Sequence, residues 1–227
     1  MATKTSASPW SWPTSSGVGT RLLQRPIAKV LSNDFASDGT IKGGDGFVAV
    51  NPSYLAPAFY KVFATYTGNT RWNTVVDKSY AILASAMNAT TGLVPDWVSG
   101  STGPNYTYDA TRTPYRIGTD YCWNDESRAQ SFLQKISAFF GNIGATNIKD
   151  GYTLSGTVTG QYTNSVFVGP AGVAGMNGYA PQAALVTGAY AIATQEGAAL
   201  TGDYFNLSWA LFTNLMMTGN FINMASP

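Results

Sequence analysis

The chain has 227 residues, which is enough for one sizeable hydrophobic core, so we expect one domain. The formal net charge is +1 and only 11% of the residues are charged, which argues against nucleic acid and anionic membranes as partners, because both select basic surfaces. The sequence contains no histidine, and this excludes Ser-His-Asp and Cys-His catalysis and the usual zinc sites.

Residues 1–20 are rich in Ser, Thr and Pro, and we expect a flexible polar arm there, followed by one helical domain at 21–227. The arm lacks the basic-then-apolar layout of a signal peptide, and no apolar run has the length of a membrane span. Apolar residues recur at helical spacing through the domain, and Pro26 fits this pattern only in the opening turn of the first helix. The predicted helices cover 21–35, 53–67, 70–87, 110–123, 126–141, 181–196 and 203–219.

Few segments alternate with the period of a β-strand, and 152–168 is the best candidate, as a short hairpin. It lies in one of two long connections, 88–108 and 142–180, which are rich in Gly, Asn, Thr and Tyr. Long irregular loops in a compact domain are usually functional or disordered, so we expect these two to build a cleft at one end of the helices. The single cysteine, Cys122, lies in an apolar pattern and is predicted to be a buried thiol.

The most informative segment is 105–116, with the sequence NYTYDATRTPYR. It places Asp109 between an aromatic residue and Arg112, where a long polar loop gives way to a helical pattern. Asp is among the best helix caps, because its side-chain oxygen accepts hydrogen bonds from backbone N–H groups that have no partner within the helix. The local pattern therefore leaves two interpretations open, a helix cap or a catalytic carboxylate that faces a cleft.

This segment resembles the YDA-x-R-x-P-x-R signature of glycoside hydrolase family 8. Other blocks resemble motifs of the same family and keep the same order, and that shared order makes the resemblance specific although each block alone is weak. The blocks are NDFASDG at 33–39 with GD at 44–45, NPSYLAPA at 51–58, GLVPDW at 92–97, DYCW at 120–123, VGPA at 168–171 and the segment 208–221.

The resemblance implies a fold and an activity. Members of the family form an (α/α)6 barrel of twelve helices in two rings and hydrolyse β-1,4-linked polysaccharides with inversion and without a cofactor. With about seven predicted helices, the chain is expected to be a mainly α, incomplete (α/α)6-barrel-like toroid, with the short β-hairpin in 142–180. The resemblance also implies cleavage of internal bonds in cellulose-type glucans, with xylan or chitosan as alternatives, and a secreted or periplasmic location.

Inversion requires two carboxyl groups, ~6.5–9.5 Å apart, one as general acid and one as general base. The resemblance implies that Asp109 is the base, that Tyr54 helps to hold the attacking water, and that Arg112 orients Asp109 and keeps it ionised. Core packing for Tyr54 and loop pinning for Arg112 remain the alternatives. The side chains expected to stack against sugar rings are Tyr108, Trp97, Tyr204 and Phe47, the last near a position where family members often have Trp.

In the family the general acid is a Glu in the first helical hairpins, and this chain begins too late to contain it. The glutamates Glu126 and Glu196 lie near predicted helix ends, where structural roles are expected. Asp96 and Asp120 match positions that the family uses structurally. The chain is therefore expected to form a homodimer that covers the open half-barrel, to be one piece of a split enzyme, to use another acid, or to bind glucan without cleaving it.

Overall fold

The computed structural model describes residues 17–44, 49–98, 103–178, 182–199 and 203–225. These ranges contain eight α-helices and three short 3-10 helices. The α-helices are α1 (Gly17–Asn33), α2 (Pro57–Thr67), α3 (Arg71–Ala86), α4 (Thr113–Asn124), α5 (Ser127–Ile143), α6 (Ser165–Gly175), α7 (Ala183–Ala199) and α8 (Tyr204–Met217). The 3-10 helices are η1 (Pro52–Tyr54), η2 (Ala110–Arg112) and η3 (Ala145–Asn147).

The prediction of a mainly helical fold is confirmed, and one hydrophobic core runs through the helices from α1 to α8. Neighbouring helices pack in pairs, with α2 against α3 and α4, and α4 against α5. The amphipathic helices α3 and α5 begin and end within two residues of the predicted bounds, because each buries one face in this core. Across the described ranges no helix combines the length and the apolar character that a membrane span requires.

Helix α6 lies at the centre of the packing and contacts α4, α5, α7 and α8. All of its residues are buried. Three glycines spaced by three residues, Gly169, Gly172 and Gly175, face its neighbours so closely that an added Cβ would overlap them. The atoms in the way belong to Thr213 of α8 at Gly169 and to Ala189 of α7 at Gly172. Glycine therefore allows α7 and α8 to lie directly against the backbone of α6.

The predicted strand at 152–168 is wrong in its second half, because residues 166–168 belong to α6. A helix that is buried on every side has no alternation of apolar and polar residues, so this apolar, β-branched sequence resembles a buried strand. In the first half, pairing among the described residues is limited to isolated antiparallel bridges of Tyr152 with Tyr106 and with Val158. The connection thus contains a minimal hairpin that is tied to the signature segment.

Three further expectations concern the chain start and the cysteine. Helix α1 begins at Gly17, inside the predicted arm, and Pro26 lies within the helix, past its opening turn. The rest of the arm, 1–16, is outside the described residues. The predicted burial of Cys122 is wrong: its side chain is exposed, because it lies in the last turn of α4, beyond the buried stretch at 113–120.

A hydrogen-bond network around the buried carboxylate of Asp120 joins four helices near the start of α5. Asp120 of α4 is fully buried and accepts hydrogen bonds from Lys61 Nζ of α2 at 2.9 Å and from Tyr80 Oη of α3 at 2.5 Å. Asn124 Nδ2 donates to its other oxygen at 2.7 Å. Burial first, and then the charge of Asp120, raise the pKa of Tyr80, so its phenol stays protonated. The same Lys61 ammonium pairs with Glu126 at 2.9 Å, which adds the start of α5 to the network.

Candidate active site

The signature segment lies where η1 and η2 contact each other. Helix η1 begins after Asn51, whose side-chain oxygen accepts a hydrogen bond from Ser53 N at 3.0 Å. It ends at Tyr54, whose carbonyl oxygen accepts a hydrogen bond from Tyr60 Oη at 2.7 Å. Asp109 immediately precedes η2. Tyr54 and Asp109, which sequence resemblance assigned to one site, therefore lie on adjoining segments that are each fixed by hydrogen bonds.

Asp109 occupies the position of a helix cap but does not act as one. Its side chain makes no hydrogen bond to the first turn of η2. The carboxylate is instead ion-paired through Oδ1 with the Arg112 guanidinium, and Arg112 Nε donates to the Asp109 carbonyl oxygen at 3.2 Å. The Asp109 side chain is 37% exposed, and no described residue donates to its second carboxylate oxygen. That oxygen is free to accept a proton from a bound water.

Asp96 binds the first N–H group of η2 from another loop. Its Oδ1 accepts hydrogen bonds from Ala110 N at 2.7 Å and from Thr107 N at 3.0 Å, and its Oδ2 accepts one from the Thr107 hydroxyl. Asp96 is almost fully buried, with 7% of its surface exposed. Its position in the GLVPDW block indicated a structural role, but no feature of the sequence showed that it binds the residues on both sides of Asp109.

Aromatic side chains border the Asp109 turn. Tyr54 is 36% exposed and its ring meets the ring of Trp97 edge-on, with centroids 6.1 Å apart. Tyr108 is 43% exposed and stands edge-on against Phe167, with centroids 5.0 Å apart. Its hydroxyl donates to Asp150 Oδ2 at 3.0 Å, which holds the exposed ring in place. The structure thus brings together Tyr54, Trp97 and Tyr108 beside Asp109, and the exposure of Tyr54 disfavours a pure core role.

Two further predicted sugar-binding residues are Tyr204 and Phe47. Tyr204 begins α8 and is 84% exposed, and its ring contacts no other aromatic ring among the described residues. Its neighbour Phe205 approaches Tyr108 instead, with ring centroids 6.4 Å apart. Phe47 lies in 45–48, outside the described residues.

Both glutamates have structural partners. Glu126 caps α5 by accepting a hydrogen bond from Arg128 N at 3.3 Å, and it pairs with the side chains of Arg128 and Lys61. Hydrogen bonds from Arg128, and then from Lys61, lower its pKa to about 2 although burial opposes the change. Glu196 lies within α7 and accepts a hydrogen bond from Ser165 N, at the start of α6, at 2.9 Å. A general acid must hold a proton that it can deliver, so the lowered pKa of Glu126 does not suit that role, and Glu196 is already the acceptor for the first N–H of α6.

Asp150, the carboxylate that binds the Tyr108 hydroxyl, also accepts hydrogen bonds from the backbone. It binds Gln161 N at 2.7 Å, Tyr162 N at 2.9 Å and the Tyr108 hydroxyl. Burial would raise the pKa of Asp150, but these hydrogen bonds outweigh it and lower the pKa below its ordinary value. Asp150 therefore supports the exposed Tyr108 ring and does not store a proton. Within the described ranges, no group of three or more Cys, Asp or Glu side chains is arranged to hold a metal ion.

Comparison with known proteins gives one consistent result. The sequence profile described as Glycosyl hydrolases family 8 matches residues 29–219. Endoglucanase A of Acetivibrio thermocellus is 38% identical over 95% of this chain and 47% of its own length. Endoglucanase C of Ruminiclostridium cellulolyticum is 36% identical over 94% of this chain and 48% of its own length. The chain thus spans about half the length of the curated relatives it matches.

A solved structure shows the same fold. The beta-1,3-1,4-glucanase from Paenibacillus sp. X4 superposes with a TM-score of 0.79 at 29% identity, over 92% of this chain and 62% of that one. Together with the profile match, this confirms the predicted (α/α)6-barrel type of fold.

Proposed function

Because the chain belongs to glycosyl hydrolase family 8, we propose that it acts in the hydrolysis of β-1,4-linked glucans with inversion, with Asp109 as the general base. The observation that carries this proposal is the state of the Asp109 carboxylate. It is paired with Arg112 on one side, it is partly exposed, and it makes no capping hydrogen bond to η2. A carboxylate held in this way can receive a proton from water without first breaking a backbone hydrogen bond.

In the proposed reaction, a water molecule attacks the anomeric carbon while Asp109 takes one of its protons and the bond to the leaving oxygen breaks. A general acid gives a proton to that oxygen, so the enzyme gains one proton and loses one in each turnover. The Tyr54 hydroxyl helps to orient the water, and Arg112 fixes the carboxylate. Glu126, Glu196 and Asp150 serve as hydrogen-bond acceptors elsewhere, so we assign no described residue as the acid. We propose, from the resemblance to the family, that the acid is a Glu N-terminal to the matched motifs.

The proposed substrate class is a cellulose-type or mixed-linkage glucan, because the related proteins above are named endoglucanases or a beta-1,3-1,4-glucanase. Xylan and chitosan remain alternatives. Exposed rings suit neutral sugars, and Tyr108 and Tyr54 supply such rings beside Asp109. A polymeric substrate also implies action outside the cytoplasm, in secreted or periplasmic form.

The proposal is tested by measuring reducing ends released from carboxymethylcellulose and from mixed-linkage β-glucan by the purified full chain and by Asp109→Asn. We expect the variant to fold and to lose activity by ~10²–10⁴-fold, the usual effect of removing an acid–base group. Asp38→Asn, which changes an exposed carboxylate in a distant turn, is the matched control and is expected to keep full activity. Equal rates for wild type and Asp109→Asn would refute Asp109 as the base, and a β-anomer as first product in ¹H NMR would refute inversion.

A second candidate function is glucan binding without cleavage. The observation that favours it is that the carboxylates of Asp96 and Asp150, which lie near the aromatic rings, are engaged in structural hydrogen bonds and leave no second carboxyl group beside Asp109 assigned as the acid. Calorimetric titration with cello-oligosaccharides distinguishes the two functions. Binding by wild type and by Asp109→Asn, with no reducing ends released by either, would support the binding function.

We also propose self-association, as expected for a partial barrel. Helix α8 and the segment after it expose four large apolar side chains, Leu211, Phe212, Ile222 and Met224, each at least 43% exposed. Large exposed apolar patches usually mark association surfaces. Light scattering after size exclusion should give a dimer for wild type and a monomer for Leu211→Ser combined with Ile222→Ser, and a monomeric wild type would refute the idea.

A further inference from the structure

We propose that Asp96 is a positioning residue for the reaction, and that its carboxylate holds the Asp109 turn so that Asp109 can face water. This inference rests on the proposed function of Asp109 as general base. It adds a residue that does not touch the substrate and acts through the backbone on either side of Asp109.

The first argument is geometric. Asp96 binds the N–H of Thr107, two residues before Asp109, and the N–H of Ala110, directly after it. Its second oxygen binds the Thr107 hydroxyl. The Asp96 side chain thus accepts three hydrogen bonds, and these fix the backbone on both sides of Asp109. The N–H groups that a carboxylate at the Asp109 position would ordinarily cap, those of the second and third residues of η2, donate to backbone carbonyl oxygens instead.

The second argument is energetic. Asp96 is 7% exposed and has no cation within ion-pair distance among the described residues. A buried carboxylate without a counter-ion is costly unless several N–H or O–H groups solvate it. The groups that solvate Asp96 belong to Thr107 and Ala110, so the turn around Asp109 must keep its shape for the charge of Asp96 to be stabilised. This mutual dependence makes the turn rigid.

The third argument is the support of Asp96 itself. Asp96 N donates to Asn105 O at 2.9 Å, and Trp97 N donates to Gly103 O at 3.2 Å. These two backbone hydrogen bonds join the segment at 96–97 to the segment at 103–105. Gly103 has a φ of +71°, and an added Cβ would lie 3.0 Å from Asp96 Cβ and 2.8 Å from Trp97 Cδ1. Only glycine permits this close approach. The loop that contains Gly103 therefore fixes the position of Asp96 next to the Asp109 turn.

The kinetic test uses the full chain and separates kcat from KM on a soluble β-glucan. Asp96→Ala removes all three hydrogen bonds, and we expect kcat to fall by about 10²-fold with KM within about twofold, since small misplacements of a reacting group cost about that much. Asp96→Asn keeps an oxygen for the two N–H groups and should recover part of kcat. Thr107→Val removes only the bond to the second oxygen and should lower kcat about threefold to tenfold, whereas Thr107→Ser should restore it. Asp38→Asn is the control and should match wild type.

The structural test keeps the proposal independent of activity. In a crystal structure of Asp96→Ala, or of Thr107→Val if the first variant does not fold, we expect the backbone at 107–110 to shift and the Asp109 carboxylate to leave Arg112. If the Asp109–Arg112 pair is unchanged in the variant, or if folded variants keep kcat within twofold or lose activity through KM alone, the proposal is wrong. A wild-type chain without hydrolytic activity would refute the proposed function instead, and the crystal structure would still decide whether Asp96 positions Asp109.

Discussion

Replacement of Glu126 by Gln should weaken the fold at neutral pH and have little effect in strong acid. Glu126 caps α5 and binds Lys61 and Arg128, so it joins α2 to α5 beside the buried Asp120. Its pKa falls from an ordinary value of 4.5 to about 2 in the folded chain. At about 1.4 kcal/mol for each pKa unit, that difference has an upper value of about 3.4 kcal/mol. Arg128 is 43% exposed, and solvent screening reduces the expected loss to about 1–2 kcal/mol.

The pH dependence follows from the sign of the change. A carboxylate whose pKa is lower in the folded state contributes its full stabilisation above the unfolded pKa, here about 4.5, and loses it as the pH falls toward about 2. The difference in unfolding free energy between wild type and Glu126→Gln should therefore be largest at pH 7 and should shrink between pH 4.5 and pH 2.

Urea unfolding followed by tryptophan fluorescence at pH 7, 5 and 3 measures this difference, and Asp125→Asn serves as control because it changes the neighbouring exposed carboxylate. A salt titration at pH 7 should reduce the difference further, since the Arg128 partner is exposed. If Glu126→Gln costs the same free energy at pH 7 and at pH 3, the ion pairs are not the source of the stabilisation.

Two further predictions concern packing and substrate binding. Gly118→Ala should destabilise the fold by about 1–3 kcal/mol, because the added Cβ would lie 2.6 Å from Val173 Cγ1 of α6. Thermal unfolding measures this loss of stability. An unchanged Tm would show that α4 and α6 can move apart without loss of stability. Tyr108→Ala should raise KM about threefold to tenfold with kcat little changed, because the exposed ring offers a stacking face. Tyr108→Phe keeps the ring but loses the bond to Asp150, so it should raise KM less than Tyr108→Ala does. Steady-state kinetics on cello-oligosaccharides decide this, and equal KM values for Tyr108→Ala and wild type would remove Tyr108 from the binding surface.

The sequence was a good guide where a helix buries one face only. The predicted helices at 70–87 and 126–141 correspond closely to α3 and α5, since their apolar residues recur with the helical period. Helix α6 was missed because burial on every side removes that period, and its β-branched residues then favour a strand. The helical period of apolar residues arises because one face of a helix is exposed to solvent. A helix with no exposed face, such as α6, therefore shows no such period.

The contact between Asp109 and Arg112 was predictable from the sequence, but the way in which the turn around Asp109 is held was not. The signature segment identified Asp109 and Arg112, and the two do form an ion pair. The local sequence could not reveal how this turn is held, because Asp96, which binds the N–H groups before and after Asp109, lies on another loop. Backbone hydrogen bonds between distant segments leave no spacing pattern in a single sequence.

The three glycines of α6 also decide where this chain can tolerate change. Their neighbours leave no room for even a methyl group at Gly169 or Gly172, so each glycine can be replaced only if α7 or α8 moves with it. Libraries that seek better expression or altered substrate preference should leave this helix unchanged. Diversity is better directed to surface positions such as Tyr162 and Tyr204, where the side chains project into solvent and a substitution has few contacts to disturb.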